Sequence, residues 1–290
     1  MRRLLKVALL FLVAAGLSGC SGLRLAYNNA DTVVRWMADD YFAIEGAQQE
    51  EFKARLARFH AWHRSEELPR YSVLLIGAGQ KLADGLTAQE LMWAWDSVWA
   101  RYRRMAAQAA PELALVLPTL TPAQFEQAEK RFVESRAEFA KKYLKGSEAD
   151  QRERRDKRNL ELMQEWFGSL TDEQEAQIML ASAKLPLLYS LRLQNRQRRQ
   201  NEFIAMVKTY RSAEELEPRM ARWLIEWEEG ASAEYRRLSD LHREMYIQML
   251  LELDRSLTPA QRVRAVTRLN DYAEVFALLA RQNKPARPGS

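Results

Sequence analysis

Few residues in this 290-residue chain could do chemistry, and their spacing decides what each can do. His60 and His63 stand three apart, which on a helix puts both imidazoles on one face, as two ligands of one metal would need. A zinc site asks for further ligands. The third histidine, His242, is distant in sequence and the single cysteine is Cys20, so the pair reads as polar residues at a helix-packing edge, and no metal or other cofactor is expected. No glycine-rich phosphate loop, nucleophile elbow or paired metal motif is present. Two basic runs stand out instead: Arg192, Arg196, Arg198 and Arg199 in "SLRLQNRQRRQ", and Arg152, Arg154, Arg155, Lys157 and Arg158 in "QRERRDKR". Such runs could hold anionic headgroups, phosphates or acidic protein segments, although interleaved Glu153 and Asp156 make a solvated, internally paired face the simpler reading of the second. Trp93, Trp95 and Trp99 in "MWAWDSVWARY" cannot share one narrow helix face, so one is expected to be exposed as an interaction anchor. Trp223 and Trp227, four apart, read as core.

A second pattern is repetition. Leu-Thr-Pro-Ala-Gln occurs at Leu120 to Gln124 and at Leu257 to Gln261, and Leu-Thr-Asp-Glu-Gln at Leu170 to Gln174. Thr121, Thr171 and Thr258 suit helix N-caps, and Gln124, Gln174 and Gln261 can each reach back to the cap N–H. Proline at the first helical position of two copies gives up no hydrogen bond. Thr87 with Glu90, Ser147 with Asp150 and Ser212 with Glu215 use the same device with an acid. A hydrophobic staple would join Leu120 to Phe125 and Leu86 to Leu91, whereas Leu170 and Leu257 would face Glu175 and Arg262, where no staple forms. Each capping threonine is worth roughly 1 kcal/mol. Capping accounts for the motif as a helix start but not for the choice of glutamine three times.

These residues must be positioned by helices. Glycine and proline are sparse, at 11 and 9 in the whole chain, and Ala, Leu, Glu, Gln, Arg and Met dominate. No stretch shows the period-two alternation of a strand. The expected fold is all-α, a multi-helix bundle of antiparallel hairpins with one long kinked helix. Helices are expected over 25–45, 47–67, 70–84, 88–109, 122–145, 148–167, 172–210, 213–229, 232–255 and 259–281. Pro186 should kink the one from 172 to 210. Phe125, Phe132 and Phe139 recur every seven residues, a narrow coiled-coil-like stripe, and 122–167 reads as a hairpin turning at Gly146-Ser147. Val263, Val266, Leu269, Ala273, Phe276 and Ala280 form the expected core stripe of the last helix. A domain boundary is expected near Pro111, dividing an N-terminal helical subdomain (20–110) from a C-terminal body (111–282), with a disordered tail at 283–290.

The first residues, MRRLLKVALLFLVAAGLSGC, combine a basic start, an apolar run and small residues, the architecture of a secretory signal peptide over 1–19. The run from Val7 to Leu17 is too short to span a bilayer, which takes roughly 20 apolar residues. Leu17-Ser18-Gly19-Cys20 resembles the bacterial lipobox, and the resemblance implies acylation at Cys20, palmitate included. Two or three chains on one residue would give stable membrane anchoring. Ser21 after the cysteine favours the periplasmic face of the outer membrane over the inner membrane. Removing Arg2, Arg3 and Lys6 with the signal leaves 41 Lys and Arg against 39 Asp and Glu, so net charge does not argue for nucleic acid, and none is expected as a partner.

The segments "LRLAYNNADTVVRWMADDYF" (23–42) and "FHAWHRSEELPRYSVLL" (59–75) resemble a family of uncharacterised proteobacterial lipoproteins, which implies an envelope location and no established activity. The repeated Leu-Thr-x-x-Gln is similar to the signature of the Spy and CpxP periplasmic proteins, helical cradles that bind unfolded clients or regulate a stress sensor; Ile44 to Gln48 resembles a decayed copy. Glu134-Ser135, with Leu162-Met163-Gln164 downstream, resembles the catalytic Glu-Ser of lytic transglycosylases, in which a buried, protonated Glu acts on the glycosidic oxygen. Glu134 here lies in a charged helix, the glycine usually preceding Leu-Met-Gln is Glu161, and no enzyme is expected. The expected function is that of a lipid-anchored helical binding protein for protein clients or envelope components. A structural lipoprotein docked to one fixed partner comes second, and a peptidoglycan-cleaving enzyme third.

Overall fold

The fold is described from a computed structural model covering residues 19–282, with Gly19 and Cys20 described in their backbone alone. The expected signal peptide, the acylated side chain of Cys20 and the expected tail at 283–290 lie outside the described residues. Within them the chain is all-α. It runs through α1 (Gly19–Asn28), α2 (Ala30–Phe42), α3 (Gly46–Trp62), α4 (Leu68–Asp84), α5 (Ala88–Val116), α6 (Pro122–Tyr143), α7 (Glu148–Phe167), α8 (Asp172–Lys184), α9 (Tyr189–Thr209), α10 (Ala213–Ile225), α11 (Ala233–Ser256) and α12 (Pro259–Arg281). A π-helical turn over His63–Glu67 joins α3 to α4, and a 3₁₀ turn over Leu117–Thr119 follows α5. No described helix is long and apolar enough to cross a membrane.

The described residues divide into two compact bodies, one of 19–80 and 267–282, the other from Lys81 to Val266. The boundary expected at 110/111 instead falls inside α5, which continues through Pro111 to Val116. A mid-helix proline forfeits a backbone hydrogen bond and costs about 3 kcal/mol. Packing offsets it: Ala106, Ala110 and Ala114, four apart, are buried, α10 lies along α5, and the Tyr102 hydroxyl donates to the Leu224 carbonyl at 2.7 Å.

Proline acts differently at 186. The expected long helix is two helices, α8 and α9, separated at 185–188. Arg155 satisfies the carbonyls so released, donating to Leu185 O and Ser182 O, both at 2.7 Å, while its Nε donates to Asp156 at 2.9 Å. Asp156 also accepts from Ser182 Oγ at 2.6 Å. This network buries Arg155 and Asp156 in the half of α7 that looks polar all round, and Gln151, also buried there, donates to the Leu144 and Gly146 carbonyls of the preceding turn.

The hairpin expected over 122–167 is not the main pairing. The partner of α6 is α9, and that of α7 is α8. The seven-residue stripe of α6 meets α9 in a seam in which Phe132 abuts Phe203 edge-on, Tyr143 stacks on Tyr189 and Lys208 pairs with Glu129. Beside it, Met163, Ile178, Met249 and Leu253 form a core shared by α7, α8 and α11. In the other body Leu68, Val275 and Leu279 are the core, with Leu23, Tyr27, Tyr71 and Phe276 packed around them.

Candidate functional site

The three Leu-Thr-x-x-Gln segments form the same local structure. Thr121, Thr171 and Thr258 each accept from the N–H of the glutamine three residues on, all at 3.3 Å, and the glutamine Oε1 accepts from the threonine N–H at 2.9 to 3.0 Å. The boxes written with an acid form too: Thr87 with Glu90 and Ser147 with Asp150, whose carboxyls are held below their ordinary values by the hydrogen bonds they accept from the cap. What separates the spellings is burial. Gln124, Gln174 and Gln261 are buried, whereas Asp150 and Glu215 are exposed and Glu90 is partly so. A buried carboxylate would lose its hydration, and a neutral amide avoids that. The Ile44 to Gln48 segment forms no such box: Glu45 takes the cap position without a side-chain hydrogen bond.

Two of the glutamines do more. Gln174 Nε2 donates to Gln261 Oε1 at 3.0 Å and Gln261 Nε2 donates back to Gln174 Oε1 at 2.8 Å. The remaining amide protons go to backbone carbonyls placed alike in the two motifs, Gln174 to Ser256 O and Gln261 to Ser169 O, both at 2.8 Å. Each amide thereby uses two donors and two acceptances, its full capacity. Since Ser169 and Ser256 each precede the repeated leucine, the segments Ser-Leu-Thr-x-x-Gln interlock reciprocally. Leu170 and Leu257, which form no staple, pack into the Met163–Ile178–Met249–Leu253 core. The motif is therefore a joint between the starts of α8 and α12.

The histidines sit in an aromatic cluster of the first body. His63 Nδ1 lies 2.9 Å from the Tyr27 hydroxyl and Nε2 lies 3.3 Å from the Tyr71 hydroxyl, so both ring nitrogens face phenols. Burial, with His60 and Arg64 nearby, lowers the His63 pKa from 6.5 to about 4 and keeps it neutral. Burial raises Tyr27. Arg64, itself buried, donates to Leu279 O and to Asn28 Oδ1, both at 3.0 Å. Among the described residues no group of three or more His, Cys, Asp or Glu could hold a metal.

The basic run on α9 does not make one open patch. Arg196 is exposed and reaches Ser135 Oγ at 3.2 Å, with its guanidinium toward Phe139. Arg198 donates to Glu202, Asn195 and the Glu229 carbonyl, bracing the turn after α10, and Arg199 lies over Trp223 at 4.1 Å and within 3.4 Å of Trp227 O. Arg192 is exposed, and it and Arg155 are the charges that, after burial, lower the His242 pKa to about 4. Glu134 pairs with Arg131 and its side chain is 42% exposed, which is not the buried acid of a transglycosylase.

The tryptophans of α5 divide. Trp99 stacks on Trp227, centroids 5.5 Å apart and 10° from parallel, and belongs to the packing with the turn after α10. Both Trp93 and Trp95 are exposed, where the sequence led us to expect one. At about 100° per residue, Met92, Trp95 and Val98 fall within an arc of about 120°, and Trp93 points elsewhere. On that arc Trp95 is 40% exposed, Val98 is 59% exposed, and the Arg243 guanidinium lies 5.7 Å from the Trp95 ring. Trp93 has Lys81 over its ring at 5.1 Å. A cleft of about 650 Å³ is lined by Ala221 and Ile225 together with charged side chains, of which Arg222 and Glu229 pair with each other.

Compared with known proteins, residues 40–236 match the model of a family of unknown function, DUF6279. No curated protein matches. No solved structure matches.

Proposed function

Because the chain belongs to DUF6279, a family of unknown function, its role has to be read from its own residues, and we propose that it is a lipid-anchored binding protein of the bacterial envelope. Cys20 tethers it to the periplasmic face of the outer membrane, and it holds protein clients or envelope components on the exposed face of α5. The observation that carries this reading is the Met92–Trp95–Val98 arc with Arg243 beside it. Tryptophan and arginine are the side chains that most often dominate binding energy, and an apolar arc rimmed by charge suits a protein surface. The groups that could have suggested chemistry are spent on structure: Glu134 is ion-paired, His63 faces two phenols, and the Leu-Thr-x-x-Gln motifs cap and join helices. The similarity of those motifs to Spy and CpxP supports a chaperone-like or adaptor-like role.

The test is suppression of aggregation of an unrelated unfolded protein by the acylated chain. Trp95→Ser with Val98→Ser should abolish it at temperatures where circular dichroism shows the variant still folded, since Trp95 is 40% exposed and also contacts Trp99. Wild-type protein that fails to suppress aggregation at stoichiometric ratios removes the chaperone role.

A further inference from the structure

The first body carries a helix that its own packing does not explain. No residue of α2 or of its neighbour α3 is fully buried, yet the two differ in what they leave in water. The exposed positions of α3 are charged, polar or alanine, such as Gln49, Glu50, Glu51, Lys53, Ala57 and Arg58. On α2 they include Val34, Trp36 at 52% and Met37 at 56%. At about 100° per residue, Val33, Val34 and Met37 cluster on one side of α2 with Trp36 at its flank and exposed Asp40 between Trp36 and Val33, while Asp31, Arg35 and Asp39 lie on the other side. Arg35 and Asp31 pair with each other on that opposite side, at 3.8 Å. The solvent side of α2 thus carries Val34, Trp36 and Met37, with Asp39 and Asp40 at the end of the helix.

Its place in the chain says what covers it. α1 begins at Gly19, so Cys20 lies in its first turn, and α2 follows after the single residue Asn29. At about 1.5 Å rise per residue, exposed Leu25 stands roughly 8 Å along the axis from Cys20, comparable to the depth of one headgroup layer. We propose that α2, with Leu25 of α1, lies in the interfacial layer of the membrane that holds the acyl chains of Cys20. Val34 and Met37 enter the acyl boundary, Trp36 sits at headgroup level where its ring and N–H are both accommodated, Asp39 and Asp40 at the end of the helix stay hydrated among the headgroups, and Asp31 and Arg35 point away from the bilayer. The first body is then held against the bilayer, with acylation and α2 acting as two signals at one end of the chain. This inference rests on the anchoring part of the proposed function and does not depend on what α5 binds.

The test uses the full acylated chain in phosphatidylethanolamine–phosphatidylglycerol vesicles. Acylation blocks Cys20, so Met37→Cys supplies the one reactive thiol for a nitroxide, and Val133→Cys on α6, equally exposed at 56%, supplies the control. The label at 37 should show raised accessibility to oxygen and lowered accessibility to a water-soluble nickel complex, and the label at 133 the reverse. A label at 37 as open to nickel as that at 133, or shielded from both reagents as under a protein partner, overturns the membrane contact while leaving the anchor standing. Mass analysis of the wild-type N-terminal peptide separates the two readings, because a Cys20 without acyl groups removes the anchor and the contact together.

Discussion

At the residue scale, the choice of glutamine in Leu-Thr-x-x-Gln has a physical cause. An acid at the third helical position caps as well, and the chain uses one wherever the box is exposed or partly so; the amide appears where the box is buried. The caps were legible because they are local, three residues apart. The reciprocal pairing of Gln174 with Gln261 was not, since its partners stand 87 residues apart and only folding brings them together. We expect Gln174→Glu to lower stability by roughly 1–3 kcal/mol, the penalty for burying a group whose hydrogen bonds are lost, with Thr171→Ala costing nearer 1. In a double-mutant cycle Gln174→Ala and Gln261→Ala should be non-additive in urea unfolding, whereas additivity would mean the pair contributes nothing of its own. His63 gives a pH prediction. Its folded pKa is depressed to about 4 from 6.5, so between these values the unfolded chain binds more protons than the folded one. The stability it supports is complete above pH 6.5 and is lost as pH falls toward 4. His63→Gln should flatten that part of the stability–pH curve relative to wild type; an unchanged slope would show that the site does not hold the histidine neutral.

At the scale of elements, helix identity was readable throughout and helix continuity was not. Composition and capping signals place most starts to within a residue or two, as at Thr87, Thr121, Ser147, Thr171 and Ser212. The two prolines show what sequence lacked. Pro111 sits among buried alanines and the helix runs on, while Pro186 ends a helix because Arg155, from another helix, supplies donors to the released carbonyls. The last helix shows register decided at a distance: Val263 was expected inside and is exposed, because the burial of Gln261 in the joint turns Ala265, four residues on, toward the core. Arg155→Ala should destabilise by about 3–5 kcal/mol, since it leaves Asp156 buried without its cation and strands the Ser182 and Leu185 carbonyls. Chemical denaturation would show this directly, and a loss below 1 kcal/mol would mean that water replaces the guanidinium.

At the scale of the molecule, much of the charge that makes the sequence look like a ligand surface is used internally. Arg64, Arg155, Arg198 and Arg262 each donate to main-chain carbonyls of other elements, and Arg262 also pairs with the buried Asp254. A basic run in a sequence does not say whether its guanidiniums face water or a helix end, which is why Arg198 and Arg199 looked available. Among the large apolar side chains left in water, the aromatic ones stand on α5 in one body and on α2 in the other. Partners are therefore predicted to meet the protein at the Met92–Trp95–Val98 face. The most direct test is a photo-crosslinking residue placed at Trp95 in intact cells with Cys20 left unaltered, compared with the same probe at Val133. Adducts at 95 and few at 133 are predicted, many products indicating a client-holding protein and one dominant product a fixed envelope partner. Equal, sparse crosslinking at both positions would contradict the claim that this face is where the protein binds.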